Sequence, residues 1–110
     1  MILEYIRYKI DPDRIDAFDE AYQRAGALLD ASPHCRCWEV GRSVDAPERQ
    51  IVRIEWDSTE GHLRGFRKSE AFAAFVAATT PFFEDIEEMT HYELRLGAEQ
   101  CSPRLVRAAA

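Results

Sequence analysis

Two ionisable side chains occupy positions where the surrounding pattern calls for apolar residues. Glu4 keeps the alternation of Ile2 and Ile6 in the first predicted strand, so its carboxylate is expected on the same side as those apolar side chains. His62 belongs to a short predicted helix that covers this side. A buried carboxylate with a raised pKa can accept a proton, and an imidazole can bind an oxygen atom or transfer a proton. The two residues are therefore our candidates for catalysis.

Each candidate also has a purely structural interpretation. Glu4 is close to the start of the sequence and could lie at the rim of the sheet, paired with a lysine, an arginine or a backbone amide. His62 could lie on a helix surface or pack as a hydrogen-bonded histidine. The sequence leaves both alternatives open.

Changes in hydrophobic periodicity define the elements of the first half. Residues 2–10 alternate as a strand, and Asp11 with Pro12 supplies an N-cap and a first helical residue. The helix that follows ends near Ser32 and Pro33, and a second strand is expected near residues 34–43. One face of the helix is continuously apolar and consists of Ile15, Phe18, Tyr22, Ala25 and Leu29.

The second half contains two helices between two strands. Val52, Ile54 and Trp56 alternate with charged residues as in a half-buried strand. Ser58 and Ser69 are N-cap candidates for a short helix and a longer one. A final strand near residues 91–96 completes the order βαββαβ, with the second helical unit divided in two.

Composition and charge limit the possible partners. The 110 residues are predicted to form one domain over residues 1–97 and a C-terminal tail over residues 98–110. A formal net charge of −6 disfavours nucleic acid, and no apolar run reaches the roughly 18 residues of a membrane span. The charged first strand does not resemble a signal peptide, so we expect a cytoplasmic protein.

A small cluster of possible metal ligands lies in the second strand. Cys35 and Cys37 are two residues apart and are expected to point the same way as reduced thiols. Together with His34 they could attract a soft metal ion, but no second CxxC or HxxxH pair accompanies them. We therefore interpret this segment as an ordinary edge strand and predict no metal site.

The two faces of the predicted sheet differ in composition. Placing the helices on the apolar face assigns to it Ile2, Ile6, Tyr8, Val52, Ile54, Trp56, Tyr92, Leu94 and Leu96. The opposite face mixes apolar groups with charges of both signs and holds Leu3, Tyr5, Arg7, Arg53, Glu55, His91, Glu93 and Arg95. Such a face suits a second copy of the chain, although a solvated face with scattered ion pairs is the alternative.

Several of these features resemble one known family. The βαββαβ order, Trp56 at the end of the third strand, and the segments WDSTEGHLRGF and KSEAFAAF resemble the antibiotic biosynthesis monooxygenases of the dimeric α+β barrel superfamily. The resemblance covers residues 1–96. It implies an α+β, ferredoxin-like fold with a four-stranded antiparallel sheet, paired face to face in a homodimer. It also implies oxidation of phenols or quinols by oxygen without a metal or flavin, and therefore no cofactor.

The resemblance also implies a substrate on which the two candidate residues would act. Glu4 would remove a proton from a phenolic, quinol or polyketide-like aromatic, and His62 would hold its oxygen. The expected walls of the site are Tyr8, Trp56, Phe66, Phe72, Phe75 and Tyr92. Arg64, Arg67 and Lys68 could admit an anionic aromatic ligand or form a solvated helix face. The alternative function is a non-catalytic dimeric module that binds a small apolar molecule or accompanies a redox protein.

Overall fold

The computed structural model describes residues 1–97, and the first half of this range confirms the predicted elements. Strand β1 (Ile2–Lys9) leads through a 3₁₀ turn (Pro12–Arg14) into helix α1 (Ile15–Asp30). Strands β2 (Cys35–Arg42) and β3 (Arg49–Trp56) follow and form an antiparallel pair.

The second helical unit is divided in two, as its two cap candidates indicate. A π-helical segment (Gly61–Phe66) precedes helix α2 (Glu70–Thr79), and a 3₁₀ turn (Thr80–Asp85) leads into strand β4 (Ile86–Glu93). The predicted tail, residues 98–110, lies outside the described residues. No helix within residues 1–97 combines the length and apolar character needed to cross a lipid bilayer.

The four strands form one antiparallel sheet in the order β2-β3-β1-β4. This arrangement confirms the α+β, ferredoxin-like fold. Strand β1 lies between β3 and β4, so Glu4 is in the interior of the sheet and not at its rim. Its paired residues are Ile54 on β3 and His91 on β4.

Helix α1 packs on the sheet beside β2 and against helix α2. Phe18, Ala25 and Leu29 are completely buried, as their helical spacing predicts. They pack against a sheet surface that includes Ile6 and Val52. Phe18 and Leu29, the two large side chains among them, each contribute about 1.5–3 kcal/mol to folding. This contact anchors the half of the sheet that the second helical unit does not cover.

The register of β4 changes the predicted assignment of its side chains. His91 pairs with Glu4 and therefore points towards the helices, whereas Tyr92 pairs with Leu3 and points away from them. Tyr92 is 51% exposed, so the structure places this predicted wall residue outside the helix-covered side. The prediction gave Tyr92, Leu94 and Leu96 to the apolar face, but β4 ends at Glu93, so both leucines lie beyond the strand. A shift of one residue, however, exchanges the two faces of a strand.

The predicted helix caps and the cysteine pair have different outcomes. Ser58 caps as expected, since its Oγ accepts a hydrogen bond of 2.8 Å from the Gly61 amide. Asp11 and Ser69 occupy cap positions without a side-chain cap bond. Cys35 and Cys37 do not point the same way, because an irregularity in β2 pairs one with Trp56 and the other with Glu55.

Helix α1 and strand β2 approach closely at one glycine. A Cβ atom at Gly26 would lie less than 3.0 Å from three atoms of the Trp38 indole. The indole is anchored, because its Nε1–H donates a hydrogen bond of 2.8 Å to Asp30 Oδ1. Gly26 is therefore the residue that lets the helix pack on this ring.

We expect Gly26→Ala to lower the free energy of unfolding by about 1–3 kcal/mol, because the added methyl group overpacks this contact despite the better helix propensity of alanine. Gly41→Ala is the matched control, since its Cβ would meet Ile51 at an ordinary 3.4 Å. The control should change stability by less than about 0.5 kcal/mol. Urea titration of both variants measures the difference, and equal stabilities would contradict this account of the contact.

Candidate functional site

A cavity of about 470 Å³ lies between the sheet and the second helical unit. Its size is within the range of sites that hold a small organic molecule. Most of its walls are aromatic or aliphatic. The residues that line it are Glu4, Ile6, Tyr8, Tyr22, Trp56, His62, Phe66, Arg67, Phe72, Phe75, Val76, Thr79, Phe83, Ile86, Met89 and His91.

Glu4 is the acidic residue of this cavity. It is 5% exposed, and its Oε1 accepts a hydrogen bond of 3.1 Å from Trp56 Nε1–H. Burial raises the pKa of the Glu4 carboxyl, while the indole bond and the positive charges of His91 and Arg67 oppose this rise. The carboxylate is thus fixed in position and more basic than an ordinary glutamate.

His62 extends from the π-helical segment towards Glu4. Its ring lies on that of Trp56, with centroids 4.5 Å apart and planes inclined by 31°. Its Nε2 is 3.7 Å from Glu4 Oε1, too far for a hydrogen bond, and its buried Nδ1 has no partner among the described residues. Burial, then the nearby positive charges, lower the pKa of His62 to about 4. The imidazole is therefore neutral at pH 7.

His91 is the third polar group, and the sequence analysis assigned it to the wrong face. Its Nε2 is 3.8 Å from Glu4 Oε2, and its ring centroid is 5.3 Å from that of His62. The side chain is 44% exposed, so it lies where the cavity meets solvent. Glu4, His62 and His91 each offer a ligand atom within 4.8 Å of the others, and these residues could hold a metal ion.

The π-helical segment brings its polar and aromatic groups to one side of the cavity. The Arg67 amide bonds to the His62 carbonyl at 3.2 Å, five residues earlier. This wide turn places Phe66 and Arg67 beside His62. Outside the turn, Gly65 packs against the imidazole of His34, where a Cβ would lie less than 3.0 Å from three ring atoms.

Two of the basic residues that could admit an anionic ligand, Arg64 and Arg67, lie in different surroundings. Arg67 lines the cavity, with its guanidinium carbon 5.7 Å from the centre of the Phe72 ring. The side chain of Arg64 is 74% exposed and pairs with Glu60. Only Arg67 of these two can meet a ligand in the cavity.

A pair of tyrosines provides further polar groups in the cavity wall. Tyr8 and Tyr22 share a hydrogen bond between their hydroxyl groups. Burial raises the pKa of Tyr8 to about 12 and raises that of Tyr22 as well. Both phenols therefore remain protonated, and the hydroxyl that accepts this bond keeps its own proton to donate to a ligand oxygen.

Most of the predicted site residues meet around one cavity. Glu4, His62 and five of the six wall candidates line it, and Tyr92 is the exception. Sequence reasoning missed His91 and interpreted Tyr22 as a residue of the helix core. The alternation of Met89 with His91 is the signal that could have identified the inner face of β4.

Comparisons with known proteins agree with this fold. The sequence profile of the antibiotic biosynthesis monooxygenase family matches residues 1–78. The uncharacterised protein YczJ of Bacillus subtilis is 18% identical over 76 residues, which span 69% of this chain and 80% of that protein.

Crystal structures of two similar proteins have the same fold. A Bordetella bronchiseptica protein ascribed to this family is 24% identical, with a TM-score of 0.67 over 86% of this chain and 97% of the other. SnoaB from Streptomyces nogalater, a cofactor-independent oxygenase, is 13% identical, with a TM-score of 0.72 over 89% of this chain and 96% of the other.

Trp56→Ala should lower the free energy of unfolding by about 3–5 kcal/mol, because the indole is 1% exposed and its loss opens a void beside His62 and Phe66. Trp56→Phe keeps an aromatic ring and removes the N–H donor, so its cost should be about 1–3 kcal/mol. Denaturant titration measures both values. A loss below about 1 kcal/mol for Trp56→Ala would mean that the ring does not support the fold.

Proposed function

Since the chain belongs to the antibiotic biosynthesis monooxygenase family, we propose that it oxidises a phenolic, quinol or polyketide-like aromatic with molecular oxygen and without a cofactor. The cavity has the size and the aromatic walls that suit such a substrate. The similarity of its fold to that of SnoaB, a cofactor-independent oxygenase, supports the same reaction class.

The observation that carries this proposal is the buried carboxylate of Glu4 on the cavity wall. Because its pKa is raised, Glu4 is a better proton acceptor than a carboxylate in water. A phenolate transfers an electron to oxygen far more readily than the neutral phenol. Proton removal by Glu4 therefore starts the reaction.

The substrate itself supplies the electrons in this scheme. The phenolate gives one electron to oxygen, and the phenoxyl radical and superoxide then combine through a new carbon–oxygen bond. Loss of water leaves a quinone, so one oxygen atom enters the ring and the other leaves with the two displaced hydrogens. A phenol and O₂ thus give a quinone and water, with all atoms and electrons balanced.

Three other groups have roles in this scheme. Neutral His62 holds the phenolic oxygen beside Glu4, and Arg67 stabilises the negative charge that develops there. The hydroxyl of the Tyr8–Tyr22 pair that accepts from the other donates a hydrogen bond to a second oxygen of the substrate. The aromatic walls exclude water and orient the ring.

A specific distance favours the second candidate, a non-catalytic module that binds a small apolar molecule. His62 Nε2 and Glu4 Oε1 are 3.7 Å apart and are not hydrogen-bonded, so the two groups do not form a connected acid–base pair. A binding module needs only the cavity and its polar groups. Turnover on an aromatic substrate distinguishes the two functions.

Glu4→Gln should reduce turnover roughly 100-fold, because the amide keeps the shape and the indole bond but cannot accept the proton. His62→Ala should weaken substrate binding. Glu60→Gln is the control, since its side chain is 76% exposed on the outer side of the same helical unit. The measurement is oxygen uptake by metal-free protein with hydroquinones and anthrones.

The possible outcomes separate the two functions. Unchanged uptake in both Glu4→Gln and His62→Ala would remove these residues from the mechanism. If the parent protein consumes no oxygen with any aromatic but binds one in the cavity, the binding module is the correct function.

We also propose that the chain forms a homodimer through the sheet face that points away from the helices. The aromatic and apolar residues of this face include Leu3, Tyr5 and the half-exposed Tyr92. Its charges are already paired within the protomer, as in the contacts of Arg7 with Glu88, Arg49 with Glu87, and Arg53 with Glu39. Paired charges lower the cost of removing the face from water. His91 and Glu93 do not belong to this face.

Arg53→Glu should convert the dimer to monomer at micromolar concentration, because it places two carboxylates side by side in the interface. Arg64→Glu changes the charge equally on the outer side of the helical unit and should leave association unchanged. Sedimentation velocity measures both variants, with circular dichroism to verify folding. A monomeric parent protein would disprove this interface.

A further inference from the structure

The geometry points to a binding site for a divalent first-row transition-metal ion formed by Glu4, His62 and His91. This inference goes beyond the proposed reaction, because it concerns an ion that the reaction does not use. It is tested by a measurement that needs no substrate.

The three side chains converge on one point from three different elements. The Nε2 atoms of His62 and His91 lie 3.7 and 3.8 Å from the Glu4 carboxylate oxygens. Each of the three residues contributes one ligand atom, and these three atoms lie within 4.8 Å of one another. Ligand atoms around a tetrahedral ion with bonds of about 2.1 Å are separated by roughly 3.4 Å. To reach this separation, both histidine nitrogens must move about 0.3–0.4 Å closer to the Glu4 oxygens, and any wider separation within the 4.8 Å limit must shorten further.

These groups do not satisfy one another without an ion. Both histidine–carboxylate distances exceed hydrogen-bond length, and among the described residues the His62 side chain has no hydrogen bond at either nitrogen. His62 is 8% exposed, and a buried imidazole without partners costs free energy. Coordination to a metal ion would satisfy one of its nitrogens.

The surrounding contacts and the types of ligand atom also suit coordination. Trp56 Nε1–H holds the Glu4 carboxylate in place, as groups around a metal ligand commonly do. Two nitrogens and one carboxylate oxygen suit zinc, iron(II) or cobalt(II) better than calcium or magnesium.

Arg67 opposes a cation at this position. Its positive charge contributes to the lowered pKa of His62 and acts on Glu4 as well. The guanidinium is exposed at the cavity wall, so solvent screens part of its repulsion. Arg67→Gln should therefore tighten ion binding, whereas it should weaken the binding of a phenolate.

The ion and the proposed reaction compete for the same carboxylate. When Glu4 coordinates an ion, its lone pairs no longer accept a proton from a phenol. Metal-loaded protein should therefore lose the oxygen uptake that the metal-free protein supports.

The test is titration of metal-free, reduced protein with Co(II), followed by visible absorption and calorimetry. We expect one ion per chain, with the ligand-field bands of nitrogen and oxygen ligands and without the intense absorption that a thiolate ligand gives. Glu4→Gln, His62→Ala and His91→Ala should each weaken binding by about 100-fold or more. Glu60→Gln is the matched control, because this carboxylate is 76% exposed on the outer side of the helical unit that carries His62.

Three results would overturn the metal site. These are no Co(II) binding at millimolar concentration, equal binding by all three site variants, or spectra of thiolate ligation, which would assign the ion to the cysteines. The proposed function fails separately, through the absence of oxygen uptake by metal-free protein. If Co(II) or Fe(II) increases uptake, the metal site stands and the cofactor-independent part of the proposed reaction fails.

Discussion

The hydrogen bond from the Trp56 indole to the Glu4 carboxylate is the contact on which the site depends. Glu4 lies on an interior strand, between Ile54 and His91 of the neighbouring strands, and is 5% exposed. A buried carboxylate without a donor would be strongly destabilising, so the indole makes the charged group compatible with this position. The same ring supports His62 and Phe66. One tryptophan thus connects the acid, the histidine and the aromatic wall.

The π-helical segment is held in place by contacts outside the cavity. His34 precedes β2 and Asp57 follows β3, and a hydrogen bond of 3.0 Å joins His34 Nδ1 to Asp57 Oδ2. Gly61 and Gly65 allow the π-helical segment to pack directly on this pair. A side chain at either glycine would push the segment away from the sheet. Because the position of His62 follows from that packing, the geometry of the site is determined partly by residues that do not line it.

The sequence predicted the elements that depend on local periodicity. It did not predict side-chain positions that depend on how one strand pairs with another. The stripe on α1, the broken second helical unit and the buried position of Glu4 all follow from spacing within one segment. The inner face of β4 does not. Its register against β1 includes an irregularity beside Tyr8, and its outward face also carries an aromatic residue, so alternation alone gives the wrong parity. The π turn at Arg67 was likewise not predictable, because it depends on the close packing at Gly65.

The cavity itself is an argument for a bound molecule. Protein interiors are close-packed, whereas this cavity separates the second helical unit from the sheet and opens to solvent beside His91. Along one wall, the ring of Phe66 meets those of Phe72 and Phe75 edge to face, at centroid distances of 5.8 and 5.4 Å. They pack against one another without filling the space beside Glu4. A core that served only stability would not bring a buried acid and an imidazole without a hydrogen bond to the wall of a cavity, so these residues favour a binding role for this part of the chain.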